Sequence, residues 1–427
     1  MMKEEKVFKD PVHKYIYVQD QTIWDLINTR EFQRLRRIRQ MGTSFLTFHG
    51  AEHSRFSHSL GVYEITRKII SQFERNAYED WPQEERLLCL CAALLHDLGH
   101  GPFSHSIEKV FGTNHEEWSC RIVLGDTEVN EVLRRVSPDF PNQVAGVICK
   151  SYPKEIVVSL VSSQLDADRM DYLLRDAYFT GVNYGTFDLE RILRVVRPYK
   201  GYIVVKESGM HAVEDYLMSR YQMYWQVYFH PVTRSAEILL QKIFGRAKHL
   251  YEEKFPFNYL LNPLEKLFLN QLSENDYFLL DESFMQTMLM FWSREEDPVL
   301  ADLCSRFLHR RLFKYTTQEQ PSNSFMLRLA EIYSDAGYDP AYYMAVDFSS
   351  DLSYDVYRPG ENDEKLPIYL LDGHEELTEI SVKSDIVSSI SGLHMGKHHI
   401  YYPEELLSRV NRIQYPDIYA ALAGKPY

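Results

Sequence analysis

The sequence predicts a mainly α-helical protein, with a helical body over residues 1–345 and a small α+β lobe over 346–427. Two observations carry this. Apolar residues recur at three- and four-residue spacing along Trp24–Met41, Leu60–Asn76, Glu84–Leu95, Lys154–Ala177 and Val213–His249, the spacing that lines one face of a helix. From about residue 345 the texture changes to alternating, β-branched stretches, broken by Pro359-Gly360 and Asp372-Gly373.

Taken in order, Val7–Val18 reads as a short hairpin around Asp10-Pro11. The helical segments follow, separated by turn signals at Gly42, Gly50, Trp81-Pro82, Gly99 to Pro102 and Ser137 to Pro141. Tyr199–Lys206 alternates Tyr202 and Val204 against Ile203 and Val205, which predicts a short β excursion. Strands are expected at Ala345–Phe348, Leu366–Leu371 and Glu379–Val382.

Composition narrows the class. Of 427 residues, 45% are hydrophobic and 25% charged, as in a globular protein with a sizeable core, so a disordered or collagen-like chain is excluded. A net charge of −14 argues against a general nucleic-acid coat protein. The five cysteines, Cys89, Cys91, Cys120, Cys149 and Cys304, are odd in number and contain no Cys-x-x-Cys pair, which argues against a disulfide framework or a thiolate zinc site. The longest apolar run, Leu87–Leu95, has 9 residues, too short to span a bilayer. The N-terminus Met1–Asp10 is charged and lacks a signal-peptide core. A soluble, cytoplasmic protein in a reducing compartment is the expectation.

Histidine is clustered. Seven of 16 fall between residues 49 and 115: His49, His53, His58, His96, His100, His105 and His115. At the centre, His96-Asp97 ends the apolar run Leu87–Leu95. A buried helix that delivers a His and an Asp side by side is costly unless something pairs with them. A divalent metal is a natural partner, because imidazole nitrogen and carboxylate oxygen are both common ligands. Two residues cannot close a coordination sphere, and His58 and Asp168 lie in similar settings.

The string His96-Asp97-Leu98-Gly99-His100-Gly101-Pro102-Phe103-Ser104-His105, with Arg55-x-x-His58 and Asp168, resembles the HD-domain phosphohydrolases. Lys6-Val7-Phe8, Asp10-Pro11-Val12-His13, Phe32-Gln33-Arg34-Leu35-Arg36 and His53-Ser54-Arg55-Phe56-Ser57-His58-Ser59-Leu60-Gly61-Val62 narrow the likeness to the deoxynucleoside triphosphate triphosphohydrolases, over residues 5–245. The compact bacterial form is the match, without the sterile alpha motif that the mammalian enzyme adds.

That resemblance implies a metal-dependent hydrolase of dNTPs, releasing a deoxynucleoside and inorganic tripolyphosphate. It implies that His58, His96, Asp97 and Asp168 hold iron, manganese or zinc, with magnesium accompanying the triphosphate. His105 matches the acid for the leaving 5′ oxygen, and His115-Glu116 a pair that supports the attacking water. Arg55, Arg169 and Arg220 match phosphate-binding cations; Arg keeps its charge and can bind phosphate bidentately. Gln40 and Asp176 match residues on the deoxyribose 3′-hydroxyl, Tyr172 is four residues from both Asp168 and Asp176 so that one helical face can present all three, Tyr228 stands where a 2′-hydroxyl would project, and Met41 is at the base. A regulatory nucleotide and a homotetramer are implied through Lys6, Val7, Asn28, Gln33 and Arg36. Gln33, Arg36 and Gln40 recur at three and four residues, as on one helical face. Asn28 departs from the subgroup's Asp.

Two other readings stay open: an HD phosphohydrolase of a monophosphate or cyclic nucleotide, and a non-catalytic nucleotide or nucleic-acid binder. The run Arg30, Arg34, Arg36, Arg37 and Arg39 is the support for the last. A solvated basic face is the ordinary explanation of such a run, and nucleic acid and membrane are not expected partners.

Overall fold

The computed structural model describes residues 4–103, 105–318, 321–349, 366–391, 397–409 and 415–424, with backbone alone at His105, Lys109, Ser349, Lys397 and Asp417. The expected hairpin forms from β1 (Lys6–Asp10) and β2 (Lys14–Val18), paired antiparallel from Lys6↔Val18 to Asp10↔Lys14. Its turn is pinned by Asp10, whose Oδ1 accepts from the backbone N–H groups of Val12 and His13 at 2.9 and 2.8 Å.

The single helix expected over Trp24–Met41 is broken. α1 (Gln21–Ile27) stops at Asn28, and the Thr29 hydroxyl caps α2 (Arg30–Arg34) by accepting from Phe32 N. A 3₁₀ turn, Leu35–Arg37, follows, and Ile38 is extended at φ −117°, ψ 116°. Tertiary hydrogen bonds decide this: Arg55 N donates to Ile38 O and Gln40 N to His53 O, both at 2.9 Å. Gln33 and Arg36 therefore share a face, with Arg36 Nε donating to Gln33 Oε1 at 2.8 Å, but Gln40 lies beyond the helix on an extended strip and does not join them.

The body is built on α3 (Arg55–Arg75) and α4 (Arg86–Leu95). In α4, every residue from Leu88 to Leu95 is buried, which is why this stretch reads as one apolar run rather than a stripe. α5 (His105–Phe111), α6 (His115–Leu124), α7 (Glu128–Arg134) and α8 (Phe140–Ile148) follow. The expected Lys154–Ala177 helix divides into α9 (Glu155–Val161) and α10 (Ala167–Thr180), because Asp166 turns its carboxylate onto Arg169 N at 2.7 Å and starts a new helix. After α11 (Leu189–Val195), β3 (Val196–Tyr199) and β4 (Tyr202–Lys206) make a hairpin. Val213–His249 is likewise interrupted: α12 (Met210–Met223) passes into a π-helical turn, Tyr224–Tyr228, and Pro231 restarts the chain as α13 (Pro231–Glu252).

Four more helices, α14 (Asn262–Phe268), α15 (Glu274–Leu279), α16 (Glu282–Trp292) and α17 (Pro298–Leu308), lead to the strands. β5 (Lys314–Gln318), β6 (Ala345–Ser349) and β9 (Lys397–Tyr402) form one sheet in the order β5-β9-β6. β7 (Tyr369–Leu371) runs parallel to β4 and antiparallel to β8 (Leu377–Glu379). Strands from both sides of residue 345 thus share sheets. The strand expected over Glu379–Val382 is instead a helical turn, Ile380–Lys383, because the Glu379 carboxylate caps Ser381 N. Pro359-Gly360 lies outside the described residues. Of the cysteines, Cys120 on α6 is joined to Cys149 at the end of α8 by a disulfide, a cross-link the odd count did not foretell, while Cys89, Cys91 and Cys304 are buried thiols. Among the described residues, no helix is long and apolar enough to cross a membrane.

Candidate metal centre and active site

Three helices meet at the histidine cluster. The first turn of α3 supplies Arg55 and His58, the end of α4 supplies His96 with Asp97 just beyond, and the first turn of α10 supplies Asp168. His58 is fully buried; its Nδ1–H donates to Asp171 Oδ2 at 2.8 Å. That leaves Nε2 facing Asp168 Oδ1 at 3.0 Å and Asp97 Oδ2 at 3.6 Å. His96 is set the same way: Nδ1–H donates to the Ala93 carbonyl at 2.9 Å, and Nε2 stands 3.4 Å from Asp97 Oδ1 and 3.6 Å from Asp168 Oδ1. His96 Nε2 is buried and makes no hydrogen bond.

An orphaned buried nitrogen costs free energy. Two imidazoles with their Nδ1 protons committed elsewhere, beside two carboxylates, form a donor set that fits a divalent transition metal. The carboxylates are ionised. Burial opposes this at Asp97, but the Arg55 guanidinium and the His96 and His100 rings hold its pKa well below the usual range. Burial likewise opposes ionisation of Asp168, and the hydrogen bond from His58 together with the nearby His96 ring overcomes it. At His58, burial disfavours the proton, yet the bonds to Asp168 and Asp171 push the metal-free pKa up to about 10.

Beside this set lies a second polar cluster, His100, Glu108 and His115, whose candidate ligand atoms fall within 4.8 Å of one another. The His100 and His115 rings stack at 3.9 Å, and His100 Nε2 is 3.3 Å from Asp97 Oδ1. Burial and Arg55 hold His100 well below its usual pKa, so its ring is neutral. His115 Nδ1 and Glu108 Oε1 are 2.9 Å apart. Sequence reasoning missed Glu108; the signal was its place one turn after His105 on α5. Glu116, the residue expected beside His115, does not face this cluster: its carboxylate takes Lys150 Nζ at 2.7 Å, and its side chain is 40% exposed. Adjacent residues on a helix point about 100° apart, so α6 can aim His115 inward only by turning Glu116 out.

The turn between these clusters is braced. Gly99 N donates to Ser119 Oγ, which donates to His96 O, at 2.8 and 2.9 Å. Buried Arg34 donates to His100 O at 2.9 Å and Leu280 O at 2.7 Å. The rest of the arginine run is also engaged: Arg30 with Glu31, Arg37 with Asp281, Arg39 with Glu52 and Glu282, and Arg36 over the Phe56 ring. It is not an open basic face.

A cavity of about 700 Å³ joins the parts; its wall includes Gln40, Met41, Arg55, Asp97, His100, Glu108, His115, Asp168, Arg169, Tyr172, Asp176 and Tyr228. The Asp176 carboxylate receives the Tyr228 hydroxyl at 2.8 Å and His53 Nε2 at 2.7 Å. Tyr172 and Tyr228 meet edge to face at 6.1 Å. Arg169 pairs with Asp166 at 3.0 Å and keeps a buried Nε without a partner; the Gln40 Oε1 is likewise buried and unpaired. Arg220 lies behind the wall, with NH1 on Gln164 Oε1 at 2.9 Å. His105 opens α5, but its side chain lies outside the described residues. Lys6, Val7, Asn28, Gln33 and Arg36 form no part of this wall: Val7, Asn28 and Arg36 are exposed, and the Asn28 amide donates to Trp24 O at 2.7 Å.

Comparison with known proteins gives the family. An HD domain matches residues 55–175, and an HD-associated region matches 187–261. The uncharacterized protein YwfO of Bacillus subtilis is 59% identical over 95% of this chain and 94% of its own. The deoxynucleoside triphosphate triphosphohydrolase SAMHD1 of Gallus gallus is 27% identical over 74% of this chain and 56% of its own, and its Dictyostelium discoideum homolog 30% identical over 57% and 50%. The crystal structure of a phosphohydrolase from Bacteroides thetaiotaomicron superposes with a TM-score of 0.81 at 28% identity, covering 93% of this chain and all of that one. The HD-domain match spans α3, α4 and the first part of α10, and the chain belongs to the HD-domain phosphohydrolase family that includes the SAMHD1 triphosphohydrolases.

Proposed function

We propose that this chain hydrolyses dNTPs to a deoxynucleoside and inorganic tripolyphosphate. The observation that carries the reading is one cavity, of a size suited to a small ligand, that runs from the His-Asp set to Gln40, Met41, Tyr172, Asp176 and Tyr228. His58, His96, Asp97 and Asp168 would hold iron, manganese or zinc, and magnesium would accompany the triphosphate. A divalent cation there supplies Lewis acidity toward phosphate and makes water a nucleophile near neutral pH.

The chain's own residues do the rest. Arg55 and Arg169 offer permanent positive charge to a polyanion on an otherwise acidic protein. A carboxylate has about four acceptor sites; the Tyr228 and His53 contacts fix Asp176 and leave capacity for a sugar 3′-hydroxyl. Tyr228, packed across Tyr172, would meet a 2′-hydroxyl and so disfavour ribonucleotides. Glu108 orients the His115 ring through Nδ1, and His115 Nε2 would take the proton of the attacking water. Water oxygen bonds to the α-phosphorus, the bond to the 5′ oxygen breaks, and His105 gives that oxygen its proton. Incubating manganese-loaded protein with each dNTP and separating the products tests the bond choice; pyrophosphate with a monophosphate would refute it.

Arg220, held by Gln164 behind the wall, favours a second reading, a substrate with fewer phosphates. The same assay run with deoxynucleoside monophosphates and cyclic nucleotides decides between them. A regulatory nucleotide at Lys6, Val7, Asn28, Gln33 and Arg36, acting through a homotetramer, belongs to the proposal. A neutral Asn28 amide offers one acceptor oxygen where an Asp carboxylate would take both guanine N–H donors, so base selectivity there should be weak. Rates with dATP, with and without dGTP or GTP, alongside light scattering, test it; a tetramer that responds to no activator would refute it.

A further inference from the structure

The N-terminal hairpin ends on a chain of buried polar groups that leads to His58. His13, in the turn between β1 and β2, places Nε2 2.6 Å from Asp171 Oδ1, and both side chains are shut from solvent. The other oxygen of that carboxylate, Oδ2, takes the Nδ1–H of His58 at 2.8 Å. Arg175, one turn further along α10 and fully buried, clamps the same carboxylate: Nε to Oδ2 at 2.8 Å and NH2 to Oδ1 at 3.0 Å. Its NH1 reaches back to Asp10 Oδ2 at 2.8 Å, and Asp10 is the residue that pins the hairpin turn.

Asp171 therefore has about four acceptor sites and four donors on them, two at each oxygen. One comes from the hairpin, one from the histidine of the centre and two from Arg175. α3 leaves room for this arrangement only because residue 61 is glycine. A Cβ there would lie 1.9 Å from Asp171 Oδ1 and 2.5 Å from Arg175 NH2. Gly61 stands one helical turn after His58, so the space it leaves and the ring it neighbours belong to the same strip of α3.

We propose that His13 is a positioning residue for the metal centre: it holds Asp171 in the orientation that fixes the His58 ring with Nε2 toward the metal. The hairpin is then a support of the centre rather than an appendage, and Asp10 and Arg175 close the support on its far side. This rests on the reading that His58 is a metal ligand. Outer partners of ligating histidines fix ring orientation and basicity, and their loss typically costs about 10- to 100-fold in metal affinity.

The test compares wild type with His13→Ala, His13→Phe and His13→Gln by calorimetric titration of the metal-free full chain with Mn²⁺ at one pH. Melting of each metal-free protein is followed alongside. Phe keeps the ring volume and removes the donor; Gln keeps a side-chain N–H at similar reach. The Ala and Phe variants should bind Mn²⁺ about 10- to 100-fold more weakly, while Gln should recover most of the affinity. If Ala fails to fold, the Phe and Gln pair still decides. A folded His13→Phe protein with wild-type Mn²⁺ affinity would overturn the inference while leaving the metal reading intact. A wild-type chain that takes up no Mn²⁺, Fe²⁺ or Zn²⁺ would overturn the metal reading, and this one with it.

Discussion

Replacing Glu108 with Gln should slow turnover far more than replacing Glu116 with Gln. Glu108 Oε1 accepts from the His115 backbone N–H at 3.1 Å and meets Nδ1 at 2.9 Å, with only 17% of the Glu108 side chain exposed. The carboxylate thus sets the tautomer, with the proton on Nδ1 and the lone pair on Nε2. An amide can turn its NH₂ toward Nδ1 and reverse that assignment. A hydrogen bond to a charged group contributes about 1.5–3 kcal/mol, which, if felt in the transition state, is about 10- to 150-fold in rate. Glu116, next to His115 on α6, offers a contrast. Its ion pair with Lys150 joins side chains 40% and 47% exposed, and exposed pairs contribute about 0–1 kcal/mol to stability. Glu116→Gln should change the rate by no more than about twofold. The assay is kcat for release of tripolyphosphate from dATP, measured with manganese content matched between proteins. A Glu116→Gln enzyme slowed more than the Glu108→Gln enzyme would refute the reasoning.

Metal uptake should depend on pH. With His58 raised to about 10 in the metal-free chain, binding releases a proton, so Mn²⁺ affinity should rise about tenfold per pH unit between roughly pH 7 and 9. The same shift stabilises the metal-free fold fully below the unfolded imidazole pKa of about 6.5 and is lost as pH climbs through about 10; a melting temperature that held steady toward pH 10 would contradict it. Asp97→Ala removes a ligand and the Arg55 partner together, so metal content and turnover should both vanish; metal analysis on the purified variant checks this. Gly99→Ala would place a Cβ 2.2 Å from His115 O and 2.3 Å from Ser119 N, both backbone atoms that cannot yield without moving α6. It should cost about 1–3 kcal/mol in unfolding free energy and weaken catalysis with it; denaturant titration and kcat report the two.

The sequence by itself determined what rests on local spacing. Periodic apolar residues located most of the helical body, and the fully buried run Leu88–Leu95 announced a helix packed on all sides. The string from His96 to His105, with Arg55-x-x-His58 and Asp168, carried the resemblance to the family, while the cost of burying an adjacent His and Asp at a helix end pointed to a bound partner. Tertiary structure decided whatever depends on contacts between distant residues. The Trp24–Met41 periodicity could not show the break at Asn28, since the extended strip at Ile38 is held by Arg55. Pairing of β4 with β7, and of β5 with β9, joins residues 80 or more positions apart that carry no trace of each other in sequence. The resemblance implied Glu116 as the partner of His115, and spacing alone did not point to Glu108. Helix α6 turns one outward to Lys150, and α5 brings the other within 2.9 Å. His13, 158 residues before Asp171, gained its place only when the hairpin folded onto α10, because burial of a carboxylate demands donors from wherever the fold can bring them.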